Sequence, residues 1–289
     1  MKVEQLQEGA LCQLNIGRWA ATSRMSKDKL GDEVPKEIVR AMQDLIEDKT
    51  LIKDIHSIKR QAKSFLIENS LPFPVRGVFW VRRDHIPKLD DKFGELKRLY
   101  ERQALQLADG LQKMKRRFRR KYPEYYNERK YPTKAALIKR HRFTWNFFQF
   151  TIPDEETEIL SPEMYKREQR KFQNMVAEME NLTLNVIGNE LLKRIEALKA
   201  QCDNDSVNLR TVKAMDGFMD KWRNLWDGHV DNKRMNSIMK SLRVQMARTS
   251  ADRLKNNEDF RNKASEKLGK IIGRIEAIPK MNFKRKLDV

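Results

Sequence analysis

One continuous apolar stripe near the middle of the sequence constrains the fold more than any other feature. From Leu89 to Phe118, apolar side chains recur at steps of three, four or seven residues, a spacing that places them on one face of an α-helix. Pro87 and Pro123 set the limits, because proline is tolerated in the first turn of a helix but breaks its interior. The sequence therefore predicts a helix over residues 87–122. At 1.5 Å per residue it is roughly 50 Å long, a length typical of bundles and antiparallel coiled coils.

The rest of the sequence predicts a mainly α-helical protein with a small β element. Period-two alternation or short apolar runs predict strands over residues 10–16, 78–81 and 145–152. Further helices are predicted over residues 35–45, 51–68 and 133–141. After an acidic loop, Ser161 and Pro162 cap a second long helix, and apolar stripes continue to about residue 275. We therefore predict a long-helix bundle, or a coiled-coil-like fold, with about three short strands in its first half, whose order stays open.

Three regions follow from these patterns. Residues 1–152 form a mixed α/β N-terminal region that holds the long helix. Residues 153–278 form a C-terminal helical bundle region, and residues 279–289 form a basic tail.

Composition narrows the class of protein. Cys12 and Cys202 provide neither a disulfide framework nor a zinc pattern, and we expect both in the core. No apolar run approaches the roughly 20 residues of a membrane span, and residues 1–9 lack the apolar core of a signal peptide. We therefore expect a cytoplasmic protein that does not bind membranes.

The positive charge of the chain is concentrated in one segment. The chain carries a formal charge of +19 at pH 7. Residues 113–142, the basic segment, hold thirteen basic and two acidic residues, a net charge of +11, which leaves +8 for the other 259 residues. Charge that served solubility alone would be spread more evenly, so the segment favours a polyanionic partner. Its basic residues are Lys113, Lys115, Arg116, Arg117, Arg119, Arg120, Lys121, Arg129, Lys130, Lys134, Lys139, Arg140 and Arg142.

Tyrosines follow the densest run of charge. Tyr122, Tyr125, Tyr126 and Tyr131 are interleaved with the basic residues. Cations for phosphates and aromatic rings for bases are the components of single-stranded nucleic-acid sites, and arginine suits bidentate contact with phosphate. We therefore predict a nucleic-acid site, for DNA or RNA, at these thirteen basic residues with Tyr122, Tyr125 and Tyr126. Two alternatives stay open: an acidic protein surface as the partner, or a solvated helix whose tyrosines close the end of the bundle.

The motifs of well-known enzyme classes do not occur in the sequence. There is no GxxxxGK[ST] loop, no GxGxxG, no HExxH and no GxSxG. The four histidines are far apart along the chain, and none pairs with another at metal-ligand spacing. We therefore expect no catalysis, no metal and no cofactor. Asp84 and His85 are the best positions for an enzyme of unfamiliar type, although a helix cap and a surface histidine explain them more simply.

Two stretches of the sequence resemble a known family. They are Leu14–Met25, with the sequence LNIGRWAATSRM, and Ser64–Val81, with the sequence SFLIENSLPFPVRGVFWV. With the long helix that follows, they resemble an uncharacterised family of bacterial and phage proteins over about residues 10–120. Its members are often encoded beside MoxR-type AAA+ ATPases and von Willebrand-type partners. The resemblance implies a non-enzymatic accessory or adaptor role in a larger machine.

These observations lead to two functional hypotheses. In the first, the chain is a non-catalytic subunit of a nucleic-acid-handling complex and binds the phosphate backbone through the basic segment. In the second, it is a protein–protein adaptor for an AAA+ ATPase-type machine, with an acidic protein as its partner.

Overall fold

The computed structural model describes residues 6, 8–26, 29, 41–149, 161–226, 233–247 and 251–278. This part of the chain is mainly α-helical with short strands, which confirms the predicted fold class. Its strands are β1 (Gly9–Ile16), β2 (Thr22–Arg24), β3 (Met42–Asp44), β4 (Leu71–Pro72), β5 (Val78–Arg82) and β6 (Phe143–Phe148). Its helices are α1 (Thr50–Glu68), α2 (Ile86–Lys121), α3 (Lys134–Arg140), α4 (Pro162–Asp203), α5 (Leu209–Lys221), α6 (Lys233–Ala247), α7 (Ala251–Asn256) and α8 (Glu258–Glu276).

Helix α2 confirms the predicted long helix to within one residue at each end. Its apolar stripe is buried along the whole length, and Leu89, Phe93 and Leu111 are each at most 1% exposed. The helix ends one residue before Tyr122, whose backbone N–H still donates to the Phe118 carbonyl at 2.8 Å. Pro123 has no N–H with which to continue the ladder.

The strands form two sheets. The larger sheet has the order β4-β5-β1-β6, and β4 pairs antiparallel with β5. The smaller sheet pairs β2 antiparallel with β3, with Ser23 opposite Gln43. The three predicted strands correspond to β1, β5 and β6, although the third is predicted to end at residue 152 and residues 150–152 lie outside the described residues. The other three strands have only two or three residues each, which is too short for alternation to reveal them.

One predicted helix is wrong in the part that the structure describes. The helix expected over residues 35–45 covers strand β3, and residues 35–40 lie outside the described residues. Pairing with β2 replaces the helical hydrogen bonds, and the Leu45 N–H donates to the Ala21 carbonyl at 2.8 Å. A tertiary partner thus overrides a local preference that is weak by itself.

The chain forms two compact units that interleave along the sequence. Unit 1 comprises Met1–Cys12, Ile67–His85 and Phe147–Val289, and unit 2 comprises Gln13–Leu66 and Ile86–Asn146. Strands β1 and β6 each run from one unit into the other. The predicted boundary at residue 152 and the predicted basic tail at residues 279–289 lie outside the described residues, so the division into three regions stays a prediction. The whole basic segment belongs to unit 2.

Unit 1 is a helical bundle with an apolar core. Helix α4 begins at the predicted cap, where the Ser161 hydroxyl accepts from the Met164 N–H at 3.3 Å. Its buried stripe packs with residues of α5, α6 and α8 and with β4 and β5 in one hydrophobic cluster. Both free cysteines are buried, as predicted, and burial raises the pKa of Cys12 to about 12. Among the described helices, none combines the length and the apolar character needed to cross a membrane.

Unit 2 is built on α2. The rings of Phe93 and Phe143 make an edge contact at 6.4 Å, and those of Tyr100 and Phe143 do so at 5.7 Å. Lys134 at the start of α3 forms an ion pair with Asp109, whereas the His141 ring just after α3 lies 6.0 Å from the Tyr100 ring. Helix α3 therefore runs antiparallel to α2.

Two leucines on α2 provide a direct test of this packing. Leu107 is fully buried, whereas Leu105 is 49% exposed. We expect Leu107→Ala to lower the free energy of unfolding by about 2–5 kcal/mol, because it leaves a cavity in the core. We expect Leu105→Ala to change it by less than about 0.5 kcal/mol. Urea denaturation of the full chain measures both, and equal losses in the two variants would contradict this orientation of α2.

Candidate nucleic-acid interface

The last turns of α2 present a group of cations to solvent. Lys113, Arg116 and Arg120 are exposed, and none has an ion-pair partner among the described residues. At 3.6 residues per turn, the three lie within about 60° of one another around the helix axis. We call the exposed cations of these turns the basic helix end, which consists of Lys113, Arg116, Arg117, Arg119, Arg120 and Lys121.

Lys115 has a structural role instead. It is 7% exposed and forms an ion pair with Glu128, and its ammonium lies 5.5 Å from the centre of the Tyr131 ring. The hydrogen bond from Lys115 is the largest cause that lowers the pKa of Glu128, followed by the hydrogen bond from Tyr126. The position of Lys115 on the buried side of α2, between Leu111 and Phe118, explains this arrangement. The structure therefore separates Lys115 from the exposed cations with which the sequence groups it.

Glu47 neutralises two members of the basic helix end. Its carboxylate lies 2.9 Å from Nε of Arg117, accepts a hydrogen bond from Lys121, and accepts a longer one from the Tyr122 hydroxyl at 3.4 Å. The Lys121 hydrogen bond is the largest cause that lowers the pKa of Glu47. Sequence reasoning missed Glu47 because it lies more than sixty residues before its partners, and no local pattern distinguishes it from other surface carboxylates.

The four tyrosines have different environments. Tyr131 is 8% exposed, and its hydroxyl donates to the Leu45 carbonyl at 2.7 Å, so it closes the end of the unit 2 core. Tyr126 is half-buried, donates to Glu128, and has the Arg119 guanidinium 5.7 Å from its ring centre. Tyr122 and Tyr125 are 37% and 38% exposed. Two of the three tyrosines predicted for the site thus keep rings that a base can reach.

The small β2–β3 sheet holds the tyrosine-rich segment in place. The buried Gln43 side chain donates from Nε2 to the Tyr125 carbonyl at 2.9 Å. Lys130 donates to the carbonyls of Arg24 and of the Gln43 side chain, both at 3.1 Å. Lys130 is therefore a bracing residue, whereas its neighbour Arg129 is exposed and has no ion-pair partner within the described chain.

The far end of the basic segment lies elsewhere in unit 2. Lys139, Arg140 and Arg142 are exposed. The Arg142 carbonyl accepts from the Gly17 N–H at 2.9 Å, and the Gly17 carbonyl accepts from the Tyr100 hydroxyl. Since Tyr100 precedes Arg116 by sixteen residues on α2, about 24 Å of helix separates the two regions. The thirteen basic residues therefore do not form one surface.

Asp84, one of the two positions considered for catalysis, forms an ion pair with Arg82. Asp84 accepts hydrogen bonds from the Arg82 guanidinium through both of its oxygens, with Nε at 2.6 Å from Oδ1. These bonds are the largest cause that lowers the pKa of Asp84. Among the described residues, no three His, Cys, Asp or Glu side chains are grouped so as to hold a metal ion.

The candidate interface lies entirely within a stretch that matches a known protein family. A family model described as "Protein of unknown function (DUF3150)" matches residues 6–223. No curated protein and no solved structure matches the chain. The match includes all of the basic segment and reaches well beyond residues 10–120, on which the resemblance in the sequence rested.

The Lys115–Glu128 pair makes a pH-dependent prediction. Because the folded-state pKa of Glu128 is lowered, its contribution to stability is complete above the ordinary carboxyl pKa of about 4.3 and disappears as the pH falls through the lowered value. We expect Glu128→Gln to lower the midpoint of thermal unfolding at neutral pH. We expect the variant and the native protein to converge in acid, where the native Glu128 is itself uncharged.

Glu124→Gln is the matched control, because Glu124 is exposed in the same segment and has no ion-pair partner among the described residues. Melting curves recorded from neutral to acidic pH compare the variants. A loss in Glu124→Gln as large as that in Glu128→Gln would show that the pair with Lys115 is not the cause.

Proposed function

This chain belongs to the DUF3150 family, and we propose that it is a non-catalytic subunit of a nucleic-acid-handling complex that binds the phosphate backbone through the basic helix end. Tyr122 and Tyr125 extend the same site with exposed rings. The proposal is narrower than the basic segment, since Lys115 and Lys130 brace the fold and Lys134 is paired with Asp109.

The observation that carries the proposal is the set of unneutralised cations at Lys113, Arg116 and Arg120. Like charges three or four residues apart on a helix destabilise it by about 0.2–0.5 kcal/mol per pair. The helix macrodipole offsets part of this cost, because cations are favoured in the last turn. A bound polyanion would remove the remaining repulsion, and arginines offer phosphate a bidentate fork.

The two exposed tyrosines favour a single strand as the ligand. Tyr122 follows the last turn of α2, and the Tyr125 carbonyl is held by Gln43, which orders the backbone between the rings. Stacking of a base on an exposed aromatic ring contributes about 1–3 kcal/mol and tolerates any base. Contacts with phosphates and ring faces carry no direct sequence information, so we expect binding with little sequence preference.

A second candidate function has one observation in its favour. Glu47 shows that this surface accepts a carboxylate between Arg117 and Lys121. An acidic protein could bind the remaining cations in the same way, as the adaptor hypothesis with an AAA+ ATPase-type partner requires. The experiments below separate the two functions, because they compare binding of a single-stranded oligonucleotide with binding of an acidic polypeptide.

Neutralising two arginines tests the main proposal. We expect Arg116→Gln with Arg120→Gln to weaken binding of a single-stranded oligonucleotide at least about tenfold, because two charge-assisted contacts are lost. The slope of log affinity against log salt should fall in magnitude by about 1.4, which corresponds to two phosphates on a single strand. Fluorescence anisotropy over a range of salt concentrations measures both quantities.

The control makes the same change of charge on the same helix. Arg98→Gln with Arg102→Gln removes two exposed cations, also four residues apart, but far from the basic helix end. An equal loss of affinity in both double variants would contradict a localised site. If the oligonucleotide does not bind, while an acidic polypeptide binds and is lost only in the Arg116/Arg120 variant, the adaptor function replaces the proposal.

Removing Glu47 should have the opposite effect. Glu47→Gln frees Arg117 and Lys121 for phosphate, so we expect oligonucleotide affinity to rise several-fold and the salt dependence to become steeper. Glu101→Gln is the control, because it removes a carboxylate on α2 that pairs with Lys97 at 3.8 Å. If Glu101→Gln raised the affinity as much, net charge rather than the Glu47 contact would be responsible.

A further inference from the structure

The backbone at Gly17, just after β1, brings basic side chains from three parts of unit 2 together. The Gly17 N–H donates to the Arg142 carbonyl at 2.9 Å, and its carbonyl accepts from Tyr100 on α2. A Cβ atom at Gly17 would lie only 2.7 Å from the Arg140 carbonyl oxygen, so the close approach requires glycine. This hydrogen bond to the Arg142 carbonyl places Arg18 near the start of β6.

Four basic side chains lie around Gly17. Nη1 of Arg18 donates to the His56 ring, whose Nε2 is the nearer acceptor. Lys59 donates from Nζ to the Ile16 carbonyl at 2.8 Å. His56 and Lys59 are three residues apart on α1 and therefore share a face of that helix. The side chain of Arg142 flanks Gly17, with Nε 3.5 Å from the position of that added Cβ.

No carboxylate of the described residues forms an ion pair with this group. Arg18, His56, Lys59 and Arg142 have no ion-pair partner in the described part of the chain. Burial lowers the pKa of both His56 and Lys59, and the next causes are other cations, Arg18 for His56 and Lys63 for Lys59. Each cation therefore worsens the electrostatic environment of the others, a situation that a bound anion relieves.

His141, near His56, has a buried ring nitrogen without a hydrogen-bond partner. His141 is 5% exposed, and its Nε2 accepts from the Trp19 N–H at 3.2 Å. This bond requires that the neutral ring carry its proton on Nδ1. Nδ1 is buried and has no hydrogen-bond partner, and the His56 charge is one of the causes that lower the pKa of His141 to about 4, after burial. The ring is therefore a neutral donor in the neighbourhood of His56.

We propose that Arg18, His56, Lys59 and Arg142 form a binding site for a phosphate-type oxyanion, separate from the basic helix end. The arrangement combines guanidinium groups, which bind such anions bidentately, with an ammonium and an imidazole. About 24 Å of α2 separates this site from Arg116, so neither site depends on the other. The ligand is either a free phosphate-type anion or a phosphate of a nucleic-acid strand.

Binding at this site should take up a proton. Without a bound anion, burial, Arg18 and Lys59 all disfavour the imidazolium form of His56, and the neighbouring His141 stays neutral. An anion in contact with His56 favours the imidazolium form, so its pKa rises when the site is filled. Sulfate is a suitable probe, because its charge stays constant over the range in which histidine titrates.

The test is an NMR titration of the histidine ring protons in the full chain. The His56 signal is assigned by its loss in His56→Gln, and its pKa is measured in sodium sulfate and in sodium chloride at equal ionic strength. We expect sulfate to raise the His56 pKa by at least about 0.5 unit, a shift well resolved for histidine. In Arg18→Gln the starting pKa should already be higher, because one neighbouring cation is gone, and the further rise in sulfate should be largely lost.

Two additional arms give each outcome a meaning. The Arg116/Arg120 double variant should keep the full response to sulfate, so failure at the basic helix end and failure here are distinguishable. A single strand of roughly 16 nucleotides, long enough for one binding module, replaces sulfate in a parallel titration. A response to sulfate alone identifies a free anion, and a response to the strand alone identifies a nucleic-acid phosphate. No shift of His56 with either ligand, or the same shift in Arg18→Gln, overturns the proposal.

Discussion

The burial of one apolar stripe on α2 is the interaction on which the rest of unit 2 depends. Leu89, Phe93 and Leu107 are fully buried along this stripe, and Phe118 extends it into the last turns at 6% exposure. Helices in proteins owe most of their stability to the packing of such a face rather than to intrinsic propensity. The burial of Phe118 therefore keeps the basic helix end helical, although its cations repel one another. The basic helix end exists because the apolar stripe does not stop before it.

Long-range ion pairs decide which cations are free for a ligand. Glu47 and Glu128 come from opposite sides of α2 in the sequence, yet they remove Arg117, Lys121 and Lys115 from the available charge. Among the cations without an ion pair in the described residues, one group lies at the end of α2 and another lies around Gly17. Each region has an excess of positive charge, an arrangement that attracts anions.

The family match covers all of unit 2. The match ends at residue 223, so it includes α1 to α5 and both basic regions. Helices α6 and α8 lie beyond it, although they complete the hydrophobic core of unit 1 together with α4. The matched part of the chain therefore contains the candidate interface in full but only part of the helical bundle.

The sequence by itself determined the elements whose signal is local. The periods of 3.6 and 2 placed α2, α4 and β1 to within a few residues, because each period reflects one buried face of one element. A short apolar run placed β5. The concentration of charge in the basic segment was also readable from the sequence. Only the tertiary structure decided that Gln43 pairs in a strand, that Lys115 is buried and that Arg142 lies far from Arg116. These outcomes depend on partners such as Ser23, Glu128 and Gly17 that are distant in the chain. No local pattern encodes such a partner, because the contact forms only when the helices have packed.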